Sequence, residues 1–170
     1  MKSEMAKKFA KKEFKLWLDN IAKVTCKTDD NFTCQMQFID CGHTDYNGCS
    51  GTMMPLSYEC QWCHIKSKKN YNLRWLPEDA ITGCAHCHAF AHDNPDVFIT
   101  WYGEKYPHRL KIIDDAMRSP SKVWRESDFR EMEAVLLLEA KRVDVDYLNM
   151  TKWHGFNMRL KRKLEELKGE

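Results

Sequence analysis

Two pairs of cysteines stand at knuckle spacing in this chain, Cys60-x-x-Cys63 and Cys84-x-x-Cys87, and a histidine follows each at once, His64 and His88. Four more cysteines, Cys26, Cys34, Cys41 and Cys49, lie upstream in a polar stretch with few aliphatic residues. Thiolates in this pattern either close a tetrahedral zinc site or, as Cys-x-x-Cys-His, attach a c-type haem. In the simplest zinc reading Cys60, Cys63, Cys84 and Cys87 form one ribbon-type site. In another, only Cys84 and Cys87 bind the ion and their partners come from upstream. A structural metal suits the stretch 26–60, which is too polar to build a core of its own. Zinc binding is worth about 10–16 kcal/mol in small peptides, and that energy becomes folding energy. The dihaem reading takes Met53 or His154 as distal ligands. It requires export, which the Lys-rich Met1–Lys15 segment does not signal, and it leaves four cysteines without a role.

Histidines extend the pattern. His88 and His92 are four apart, so on a helix they share one face and can hold one cation between them. His64 has an intrinsic pKa suited to a general base near neutrality, and as a plain structural residue it would be a hydrogen-bonded histidine at a strand edge. His86 reads as a solvent-facing spacer, and His43, His108 and His154 carry no pattern. Between His64 and Trp75 stand Lys66, Lys68, Lys69 and Arg74 with no acid among them, a cluster able to hold phosphates without reading sequence.

Certain elements must position these groups. Phe14, Trp17, Leu18, Ile21 and Val24 recur at helical spacing and predict an amphipathic first helix, with Lys7, Lys8, Lys11, Lys12 and Lys15 on its solvated face. From Cys26 to Cys87 the composition predicts loops, short strands and knuckles. Asn94-Pro95 opens a helix that Gly103 is expected to close. Leu110–Met117 predicts another, and Asp128 with Glu131 opens a longer one reaching Val143. Its stripe of Phe129, Met132, Val135, Leu136 and Leu138 buries against the body or forms a dimer seam. Met158–Leu167 predicts a charged tail helix. There Arg159, Lys161, Arg162 and Lys163 read either as a gripping arm or as a solvated face.

With 170 residues, 43% hydrophobic and 31% charged, the chain has the size and balance of one folded domain with an appended arm. The longest dense apolar patch, Ala134–Leu138, is far too short to span a bilayer. A cytoplasmic protein without a membrane partner is expected. The net charge of +2 argues for no partner by itself.

Four segments taken in order resemble the phage-type HNH endonucleases, among them the NinG-like recombination proteins and the recombination endonuclease of T-even phages. They are His64-Ile65-Lys66-Ser67, Leu73-Arg74-Trp75-x-Pro77-x-Asp79-Ala80, Cys84-x-x-Cys87-His88, and Asn94-Pro95-x-x-Phe98-x-x-Trp101. The Phe32-Thr33-Cys34-Gln35 segment resembles the family's first knuckle, and the similarity covers about residues 32 to 106. It implies an α+β fold: a zinc-stabilised, treble-clef-like ββα-metal core at 26–106, an N-terminal helix at 1–25 and a C-terminal helical arm at 107–170. It implies a structural zinc on Cys34, Cys41, Cys84 and Cys87, with Cys49 or Cys60 as substitutes for Cys41. It also implies a Mg²⁺- or Mn²⁺-dependent DNA endonuclease. In it His64 activates water, His88 and His92 hold the catalytic cation, and Lys66, Lys68, Lys69 and Arg74 engage DNA. A homodimer would suit cleavage of both strands of a junction.

Two departures stand out. Asp79 occupies the family's central Asn position, where it can brace the loop or join the metal shell, and it can accept but not donate. Cys63 replaces the Asp, His or Gly that precedes the catalytic histidine, and reads as a small packed residue or as a preference for a soft ion. The rival from another class is a non-catalytic zinc ribbon that binds DNA or protein.

Overall fold

The computed structural model describes residues 2–36, 61–66, 69–120, 123–145 and 154–169, so Cys41, Cys49, Cys60 and Lys68 lie outside the described residues. The described chain is mostly helical with one small two-stranded sheet, an α+β arrangement. It divides into two compact units, Met1–Thr25 with Lys122–Glu170, and Cys26–Ser121. The first helix and the C-terminal arm thus group together. The middle unit runs past residue 106, because the helix Pro107–Arg118 contributes Ile113 to its core.

The first helix, α1, spans Lys2–Asp29, further in both directions than its apolar repeat demands. In the middle unit, strand β1 (Gln61–His64) pairs antiparallel with β2 (Ala80–Gly83), Gln61 opposite Gly83 and His64 opposite Ala80. Helix α2 (Ala85–Asp93) follows β2 directly, then α3 (Pro95–Lys105) and α4 (Pro107–Arg118). Proline opens both α3 and α4, where its missing N–H costs nothing. Gly103 does not close α3 but lies within it. A Cβ there would come within 2.8 Å of Leu110 Cδ2, so the glycine admits α4 rather than ending α3.

A short three-residue 3₁₀ turn, Pro77–Asp79, leads into β2 and is held from α3 and α4. Tyr102 donates its hydroxyl to the Glu78 carbonyl at 2.6 Å, and the Arg109 guanidinium donates to the Pro77 and Ala80 carbonyls at 2.6 and 2.9 Å. After α1, Asn31 and Phe32 both take left-handed backbone conformations, with φ of 51° and 52°. Such torsions are costly for a bulky residue like Phe. They reverse the chain so that Gln35 N–H donates to the Thr82 carbonyl at 2.8 Å, while the Asp30 carboxylate accepts the Thr82 N–H at 2.7 Å. The segment 30–36 thereby lines the second edge of β2.

In the other unit, α5 spans Glu126–Arg142 and α6 spans His154–Lys168. Asp128 sits one turn inside α5 rather than opening it, and its carboxylate accepts the Arg125 N–H at 2.6 Å. The buried stripe of α5 is Phe129, Glu133, Leu136, Leu137 and Ala140, whereas Val135 and Leu138 are exposed. Glu133 accepts the Trp17 indole N–H at 2.8 Å and pairs with Arg130 at 3.3 Å. Arg159 of α6 lies 3.8 Å from Glu133 and 4.0 Å over the Trp17 ring. Lys161 and Arg162 pair with Glu165 and Glu166 along α6, so much of that basic run is matched within its own helix. No described helix is long and apolar enough to cross a membrane.

Candidate functional site

The site is assembled on β1, β2 and the first two turns of α2. Cys84 is the N-cap of α2, its sulfur accepting the Cys87 N–H at 3.4 Å, so the knuckle and the helix start are one structure. The turn at Asn31-Phe32 brings Cys34 to the same place. The sulfurs of Cys34, Cys84 and Cys87 lie within 4.8 Å of one another, all buried, and this group can bind a metal ion. Hydrogen bonds from Cys34 and Cys87 hold the Cys84 thiol far below its ordinary value. Cys63 is not in the group. It is packed in the core, its thiol pushed up chiefly by burial, and its sulfur would lie 2.7 Å from a Cβ added at Gly83. Three of the four expected zinc ligands are thus together, and the fourth, Cys41, lies outside the described residues.

The same sheet and helix also border a cleft of about 560 Å³. His64 from β1, Lys66 and Lys69 from the loop after it, and His88 and His92 from α2 line it, with Trp62 beside His64. Trp62 and His64 share one face of β1 because they are two apart, and their ring centroids are 4.1 Å apart. His64 Nε2 donates to the Arg74 carbonyl at 3.4 Å. A carbonyl only accepts, so the neutral imidazole carries its lone pair on Nδ1. His88 and His92 meet Nε2 to Nε2 at 3.0 Å, one helical turn apart as their spacing requires. Gln61 Oε1 meets His88 Nδ1 from β1.

Asp79 does not line this cleft. It is fully buried beneath the loop that follows β1, where one carboxylate oxygen accepts the Lys66 N–H at 2.8 Å. Its backbone carbonyl accepts the Ile65 N–H at 2.9 Å, so Asp79 braces that loop twice. The other carboxylate oxygen meets no hydrogen-bond partner among the described residues. Burial pushes the carboxyl up to about 7 against the opposing bond from Lys66. Arg74 contributes to the site through its carbonyl, while its guanidinium stacks over Tyr71 and Trp75 at 5.7 and 5.6 Å. Trp75 is buried, whereas His86 and His108 are exposed.

Sequence reasoning missed Gln61, Tyr102, Arg109 and Asp30. Each acts across a long stretch of chain on a backbone or ring atom, and no spacing announces it. Comparison with protein-family models, with curated proteins and with solved structures found nothing that matches this chain.

Proposed function

We propose that the middle unit is a zinc-stabilised HNH-type domain and that the protein is a metal-dependent DNA endonuclease. The observation that carries this reading is one cleft joining His64, His88, His92, Lys66 and Lys69 on a strand–strand–helix unit, with a three-cysteine group beside it. The donor chemistry fits zinc at Cys34, Cys84 and Cys87, which are buried sulfurs with one at a helix N-terminus, and the fourth ligand comes from Cys41, Cys49 or Cys60. Such a site is structural, since all three sulfurs are buried and an all-thiolate set closes the coordination shell.

His88 and His92 are the residues for the catalytic cation. When bound, that cation supplies positive charge to the phosphate oxygens and the leaving oxygen. Among the described residues that line the cleft none is acidic. Two imidazoles without a carboxylate favour a transition ion such as Mn²⁺ over Mg²⁺, which prefers hard oxygen ligands. Lys66 and Lys69 make the lining net positive, so cation and phosphate are retained best together. They also hold flanking phosphates without reading bases.

His64 is the general base. Its Nδ1 takes the proton of the attacking water as that oxygen bonds to phosphorus and the P–O bond to the leaving sugar breaks, and the departing sugar oxygen takes its proton from water. Arg74 keeps the tautomer required for this, and Trp62 covers one face of the ring. By the resemblance, the products carry 5′-phosphate and 3′-hydroxyl ends. Asp79 acts as the loop brace, holding Lys66 at the cleft.

The test is incubation of the purified protein and its His64→Ala variant with supercoiled plasmid in Mn²⁺ and in Mg²⁺. Nicking in Mn²⁺, weaker in Mg²⁺ and reduced at least about 100-fold in the variant, is expected for loss of a general base. Absence of cleavage on plasmid and on branched DNA would overturn the reading in favour of a metal-binding module.

A further inference from the structure

We infer that Gln61 is a positioning residue for the two-histidine cation site, fixing His88 in the one tautomer that can bind a metal through Nε2. The inference rests on the proposed cation role of His88 and His92 and names the residue that prepares it. Gln61 opens β1 directly opposite Gly83, and its side chain reaches across to α2, where Oε1 meets His88 Nδ1. An amide oxygen accepts and never donates, so His88 Nδ1 carries the hydrogen. The lone pair of that neutral ring then sits on Nε2, the atom 3.0 Å from His92 Nε2. In the pair as it stands, His92 donates and His88 accepts. For a cation to bind between them, His92 must shift its hydrogen from Nε2 to Nδ1 by exchange with solvent, whereas the His88 lone pair is already aimed.

The strand end that carries Gln61 is itself fixed. The Cys63 thiol donates to the Gln61 carbonyl at 3.5 Å, and the ladder to Gly83 sets the register. Partners of this kind on the far nitrogen of a ligating histidine are worth about 10–100-fold in metal affinity. Gln61 is neutral, so it orients the ring without adding negative charge to a cleft that must also admit phosphate.

The experiment uses zinc-loaded full-length protein, ¹⁵N-labelled at histidine, in mildly alkaline buffer. Long-range proton–nitrogen spectra read the tautomer of each ring, and calorimetry with Ni²⁺ reads affinity at the pair, with His92→Ala locating the site. Wild-type His88 is expected to be protonated on Nδ1. Gln61→Leu is expected to lose that state and to weaken Ni²⁺ binding about 10–100-fold at an unchanged zinc content. Gln61→Glu, which keeps the acceptor, restores both. His88 protonated on Nε2 in the wild type, which needs no variant to observe, overturns the inference. So does unchanged Ni²⁺ affinity in Gln61→Leu, or a failure of Gln61→Glu to restore it. None of these readouts needs DNA cleavage: an inactive protein with Nδ1-protonated His88 refutes the nuclease reading alone.

Discussion

Among the described residues each of the two compact units almost fully buries one carboxyl side chain, and the two are treated in opposite ways. In the unit of residues 1–25 and 122–170, Glu133 accepts the Trp17 indole N–H and has Arg130 and Arg159 close by, so it joins α1, α5 and α6 through side chains. In the unit of residues 26–121, Asp79 is shut from solvent with one oxygen on a backbone N–H and the other without a described partner. The first unit is held by apolar and aromatic packing around one satisfied polar knot, including the Phe14–Phe129 and Trp17–Phe156 contacts. The second spends its side chains on pinning backbone: Asp30 on Thr82, Arg109 on Pro77 and Ala80, Tyr102 on Glu78. Its three-thiol group can bind a metal ion, which would add a cross-link that packing alone does not supply. The 26–121 unit uses its side chains to fix loops, and the other uses them to fix helices.

The sharpest way to break that contrast is to disrupt the proposed zinc site. Cys84→Ser, or a strong chelator, is expected to unfold the 26–121 unit outright, because zinc-site energies of about 10–16 kcal/mol match or exceed a typical domain stability of about 5–15 kcal/mol. Indole N–H resonances check it: the Trp75 signal collapses while the Trp17 signal, bonded to Glu133, persists. Loss of both signals, or of neither, would end the contrast.

Next comes Asp79→Asn. The native carboxyl is raised to about 7 from an ordinary 3.8, so the folded state prefers it protonated. Its contribution to stability is therefore complete below about pH 4 and is lost as pH rises through 7, at up to about 1.4 kcal/mol per pH unit. Asparagine keeps the acceptor for Lys66 N–H and does not ionise. Urea unfolding of the variant should lack that decline and exceed the wild type at pH 8. A parallel decline in both proteins would show that Asp79 is not its source.

The smallest effect is expected from Glu133→Ala, which leaves the Trp17 N–H without its acceptor and costs about 1–3 kcal/mol. Denaturant midpoints of the helical signal check it, and the shift should be the same with and without chelator.

Much of this architecture is legible in local spacing. Cys84, Cys87, His88 and His92 fall on one short helix and its cap because three- and four-residue intervals bring them together, and Pro95 marks the start of α3 without ambiguity. Gly103 misleads, since a glycine that admits a neighbour reads like one that ends a helix. Asp128 misleads in the same way, because a residue that caps from inside the first turn reads like one that caps from outside it. The Lys66 brace by Asp79 was among the roles the residue type allowed, but only its burial beneath the loop selects it. Gln61, Asp30 and Arg109 act on partners 27, 52 and 32 or 29 positions away, distances at which a single sequence carries no pattern.

The three-sulfur group also sets a timetable for synthesis. Cys34 leaves the ribosome about 50 residues before Cys84, a lag of roughly 3–10 seconds at the usual ~5–20 residues per second. For that interval the later knuckle has not yet been made, so the Cys34 thiol is open to oxidation or to capture by another metal. An oxidising shock during that interval is therefore expected to damage newborn chains more than finished ones, in which Cys34 is buried.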